Sequence, residues 1–72
     1  MSRDDCVVVN EHGEYFEGWR MREGEVTRVW WTDRASKAKV FVSRSAAMKA
    51  ILWMSIDRVA VVPYQDCEEI NG

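Results

Sequence analysis

His12 stands between Glu11 and Glu14, where the chain sets its one imidazole beside carboxylates. Such a pair can move protons as general base and general acid. Here the stretch Glu11-His12-Gly13-Glu14 reads as a polar turn, which leaves the imidazole in solvent with no site around it. Ser43 and Ser45 offer hydroxyls, but both lead into an apolar run and read as helix caps, not nucleophiles. Cys6 and Cys67 with a single histidine make no tetrahedral zinc site at any usual spacing. The four glycines are scattered, so no loop cradles a phosphate. A domain this small also has little room for a pocket of the usual ~300 Å³ or more. The expectation is a protein that is not an enzyme, with no catalytic residue, no metal and no cofactor.

The informative residues are apolar. From Ser43 to Asp57 the sequence reads SRSAAMKAILWMSID, and between Ala46 and Ile56 only Lys49 and Ser55 are polar. A helix that covers one side of a small domain needs an apolar stripe, not an apolar cylinder. On a helical wheel Ala46, Ala47, Ala50, Ile51 and Met54 share an arc of about 140°, with Trp53 at its border. That arc is the expected core face, and its alanines suit close approach to a sheet. Met48, Leu52 and Ile56 recur every fourth residue on the other side. They are the surplus, expected to serve as apolar anchors for a protein partner or for a second copy of the chain as a homodimer.

Trp30 and Trp31 form a second cluster of interest. Neighbours on a strand point to opposite faces. One of the two must therefore lie outside the core, beside Arg28 or Arg20, as a secondary contact site built on Trp30 and Arg28. A third feature is charge. Residues 33–49 hold Arg34, Lys37, Lys39, Arg44 and Lys49 against Asp33 alone, while the rest of the chain holds five bases and eleven acids. The basic segment gives an alternative reading as a nucleic-acid-binding accessory. The overall charge of -2 and Glu14, Glu17, Glu23 and Glu25 on the expected strands weigh against it.

Seventy-two residues make one domain, 1–72. A domain of this size buries only about 60% of its unfolded surface, so stability is modest. No apolar run reaches the ~18 residues of a membrane span, and acids stand where a signal peptide would be basic and then apolar. A cytoplasmic protein with reduced thiols is expected. Cys6 and Cys67 would come close if the first and last strands pair antiparallel.

Cys6–Asn10 reads as a β-branched strand buried on both faces. Strands over Glu14–Met21 and Glu25–Thr32 follow, with turns at 11–14 and 22–25 and a bulge marked by Gly18. Residues 32–38 suggest a short helical turn capped by Thr32 or Asp33. Residues 39–42 read equally as a short strand or an extended link. Arg58–Val62 is a final strand that returns beside the first and closes the sheet around the helix, and residues 66–72 are a frayed tail. The fold class is α+β: an antiparallel sheet of four to five strands, a meander plus a C-terminal strand, packed on one main helix.

Tyr15, Gly18, Trp19, the step Trp31-Thr32-Asp33, the run Ala35-Ser36-Lys37-Ala38-Lys39-Val40-Phe41 and Ser43-Arg44-Ser45-Ala46-Ala47 together form a pattern. It resembles that of small uncharacterised phage and prophage accessory proteins over roughly residues 7–62. The resemblance implies a β-meander plus helix and a role in the host cytoplasm. Such accessory proteins include host-takeover factors and anti-CRISPR inhibitors, which act by binding. The expected function is a non-enzymatic protein-binding module that inhibits or modulates a host protein complex.

Overall fold

The computed structural model describes residues 5–67. Four strands, β1 (Cys6–Asn10), β2 (Tyr15–Arg22), β3 (Glu25–Thr32) and β4 (Val59–Pro63), form one antiparallel sheet in the order β3-β2-β1-β4. One helix, α1 (Arg44–Met54), packs on it. The meander and the return of the last strand beside the first are both present. The sheet nevertheless stays open, because β3 and β4 occupy its two edges and do not pair with each other.

Local chemistry fixes the turns. Asn10 ends β1, and its Oδ1 accepts from the backbone N–H groups of both His12 and Glu14 at 2.9 Å. That bridge folds the 11–14 loop without help from the core. At the β2–β3 turn, Glu23 (φ 52°) and Gly24 (φ 82°) both take the left-handed conformation. Two such residues in a two-residue loop match the right-handed twist of the flanking strands.

β1 pairs with β2 only at Val9 and Tyr15, and beyond that point the strands part. Residues 39–41 enter the fork. The Lys39 N–H donates to the Phe16 carbonyl at 2.9 Å, while Phe41 and Cys6 exchange backbone bonds at 2.8 and 2.9 Å. The ambiguous 39–42 segment is thus a single bridge at Phe41, not a full strand.

The central strand is covered on both sides. Val8 faces α1, in a cluster with Phe16, Phe41, Ala47 and Met54. Val7 faces the other way, against Ala35 and Cys67. This is why β1 carries consecutive valines instead of an alternating pattern. Ala35 lies in a 3-10 turn, Ala35–Lys37, that begins one step later than expected. Its N-cap position is Arg34, whose side chain makes no cap, and Thr32 Oγ1 accepts the Arg34 N–H at 3.2 Å.

Two bulges complete the aromatic core. A register shift between Phe16 and Gly18 turns both Phe16 and Trp19 toward α1, although plain alternation would separate them. A second shift, at Thr27, does the same for Val26 and Val29. Tyr64–Asp66 form a second 3-10 turn and Cys67 is buried. The remainder of the expected tail, 68–72, lies outside the described residues.

Candidate interaction surfaces

α1 is a well-terminated helix. Ser43 is extended (φ -159°), and its Oγ accepts the Ala46 N–H at 3.1 Å. Ser55, just past the last turn, is left-handed, with φ 56°. The Ser55 N–H donates to Leu52 at 3.2 Å, and the Ile56 N–H donates to Ile51 at 3.3 Å. This paired closure is a Schellman cap, and it folds the residue after the cap back onto the helix.

The cap corrects the expected stripe. Ile56 is no longer helical. It packs, half-buried, against the same cluster as Ile51. The aligned residues left in solvent are Met48, 47% exposed, and Leu52, 77% exposed. Trp53 flanks them at 51% exposure, with its inner edge against Trp19, ring centroids 6.0 Å apart. The core arc is as the wheel requires: Ala47 and Met54 are buried, and Ala46, Ala50 and Ile51 pack beside them. α1 carries Arg44 and Lys49 and no acid.

The second surface lies on the far side of the sheet. Trp31 faces the core, where its ring meets Phe16 at 5.9 Å. Trp30 faces outward from the β2–β3 ribbon, and the Arg28 guanidinium lies 5.6 Å from its ring centroid. Gly18 pairs with Trp30, and a Cβ there would stand 3.8 Å from the indole. Arg20 is directly opposite Arg28. Sequence reasoning did not place those two guanidinium groups together, because the bulge at Thr27 sets that register.

The basic segment 34–49 is not gathered into one patch. Arg34 and Lys37 flank the turn whose Ala35 packs on the Val7 side. Arg44 and Lys49 are on α1, on the opposite side. Lys39 is half-buried, its Nζ 5.2 Å from the Trp19 ring centroid and 5.7 Å from that of Phe41. It serves as a cationic lid on the aromatic core, and its charge is directed at rings. Contrary to the expectation that so small a domain has little room for a pocket, an open cleft of about 510 Å³ runs beside it, between the Glu17–Trp19 bulge and residues 37–40.

The remaining chemistry-bearing groups are arranged as surface structure. His12 Nε2 stands 3.7 Å from Glu11, whose other oxygen is 3.6 Å from Arg58, all in solvent. Cys6 is buried in β1 beside the Phe41 bridge, and Cys67 packs beside Val7. Antiparallel pairing of β1 and β4 sets Pro63 opposite Cys6, and the Cys67 thiol lies 3.8 Å from the Pro63 carbonyl; both cysteines are buried and no disulfide joins them. Among the described residues no group of three or more His, Cys, Asp or Glu side chains could hold a metal ion. Among the described residues no helix is long and apolar enough to cross a membrane. Comparison with protein families, curated proteins and solved structures finds no match to this chain.

Proposed function

We propose that the protein is a small binding module that docks the exposed face of α1 on another protein and covers it. The observation that carries this reading is Leu52, 77% exposed on a helix whose ends are both capped. Met48 and Trp53 extend that apolar surface on either side of it. Burying each such side chain is worth roughly 1.5–3 kcal/mol of transfer free energy, before the costs of association. Arg44 and Lys49 on an acid-free helix fit a partner whose apolar contact has an acidic rim. A second copy of α1 would instead bring the same bases together, which favours a different protein over a homodimer.

The resemblance to phage accessory proteins directs this reading toward a complex in the host cytoplasm. Occlusion of the anti-CRISPR type is its most concrete form: a small protein covers a working surface and needs no chemistry of its own. The test joins two measurements on the wild-type protein and Leu52→Glu. Light scattering on a gel-filtration column gives the mass, and affinity capture from a bacterial host gives the bound proteins. The reading expects a monomer whose captured partner is lost in Leu52→Glu. A wild-type dimer that the substitution dissolves would assign the face to self-association. A monomer with identical captured proteins in both forms would overturn the reading.

A further inference from the structure

The outer face of the β2–β3 ribbon has a feature that folding alone does not account for. Arg20 and Arg28 are paired directly across the two strands. Both are exposed, and neither makes an ion pair among the described residues. Like charges directly opposite on a sheet are destabilising. Two pairs further along, on the same outer face, Gly18 faces Trp30, so the half-buried indole has no side chain across from it. Arg28 lies over that ring at 5.6 Å. An exposed guanidinium with no carboxylate beside it has N–H donors to offer, and it can meet a carboxylate in a two-pronged pair.

We infer that Arg20, Arg28 and Trp30 form a docking site for a short acidic segment of a partner protein. Carboxylates would sit against the two guanidinium groups, with an apolar side chain against Trp30. The charge pattern limits the length of the occupant. Toward the hairpin tip the next outward residue, Arg22, is already opposite Glu25, and Glu23 follows in the turn. In the other direction lies the bulge at Glu17. A patch bounded by carboxylates suits one or two anionic groups, whereas a nucleic-acid strand needs a continuous cationic track. This face is on the opposite side of the sheet from α1, and the inference does not rest on the reading given for that helix.

The experiment uses two probes on the whole chain: a labelled octapeptide alternating aspartate and leucine, and a single-stranded oligothymidylate of similar charge. Amide and indole NMR shifts are followed at low and at physiological salt. The inference expects the peptide to move Gly18, Arg20, Arg28 and the Trp30 indole. It expects Arg20→Ser with Arg28→Ser to weaken binding about tenfold or more while far-UV circular dichroism is unchanged. Leu52→Glu should leave the peptide affinity intact, which separates a failure here from a failure of the helix reading. Three results would overturn the inference. The peptide could produce no shifts, its shifts could fall elsewhere on the molecule, or the oligothymidylate could bind this face more tightly than the peptide. The last result would make the face a nucleic-acid platform.

Discussion

The ring of Trp31 meets that of Phe16 edge to face, with centroids 5.9 Å apart. Phe16 also lies 5.8 Å from Trp19 and 6.1 Å from Phe41, and it has no exposed surface. It is the hub that joins the β2–β3 ribbon to the bridge segment and to α1. A domain of 72 residues has roughly 4–11 kcal/mol of total stability at ~0.05–0.15 kcal/mol per residue. Phe16→Ala should cost about 3–5 kcal/mol. The expected outcome in urea is a midpoint shifted far down, or no folded baseline. A loss under about 1 kcal/mol would mean that the cluster does not hold these elements together.

Leu52→Glu tests the opposite limit. The side chain is 77% exposed, so its removal from the surface opens no cavity. Surface substitutions of this kind change stability by about 0.5 kcal/mol or less. The thermal midpoint should therefore stay close to that of the wild type while partner binding is lost. The paired control is Met54→Ala, one face round the same helix and 8% exposed, which should cost about 2–5 kcal/mol. Equal losses from the two substitutions would mean that Leu52 is part of the core.

The sheet, its order and the helix were legible in the sequence because each rests on local signals. The Val7-Val8-Val9 run marks a strand covered on both faces, Glu23-Gly24 marks a tight turn, and Ser43 marks a helix start. What was not legible depends on register. The two-residue turn alone would place Arg20 opposite Thr27. The bulge at Thr27 moves Arg28 into that place, and no residue type announces it. Ile56 was misplaced for a related reason: a fourfold spacing looks helical until a left-handed serine ends the helix. The candidate surfaces were half visible. Met48 and Leu52 follow from periodicity, which also puts Arg28 and Trp30 on one face of β3, while the choice of Trp30 over Trp31 as the outward ring, the Arg20–Arg28 pairing and the fixing of Lys39 over Trp19 and Phe41 needed the tertiary fold.

Ser55 offers a stabilising substitution. Its left-handed backbone (φ 56°) costs an L-residue about 1–2 kcal/mol. Glycine takes that conformation freely but loses about 0.5–1 kcal/mol through added freedom in the unfolded chain. Ser55→Gly should therefore raise stability by roughly 0.5–1 kcal/mol, read as a higher urea midpoint with unchanged slope. Ser55→Val should move the midpoint the other way, because a β-branched residue fits that conformation worst. If both variants leave the midpoint in place, the cap is not what ends α1.

The Arg20–Arg28 pair makes a prediction that needs no ligand. Arg20→Thr removes one of two like charges that face each other across β2 and β3, and it puts a β-branched residue on an exposed strand position. The Arg20 backbone carbonyl, which accepts from Thr27 Oγ1 at 3.3 Å, is untouched. Relief of the repulsion should raise stability by about 0.2–1 kcal/mol at low salt. Added salt screens exposed charges, so the wild-type protein should gain more from it than the variant, and the two curves should converge. Arg28 is unchanged beside Trp30 in both forms, so its contact with the indole is held constant. A variant less stable than the wild type at low salt would show that Arg20 supports the sheet. In that case the face would have no unmet charge for a partner to satisfy.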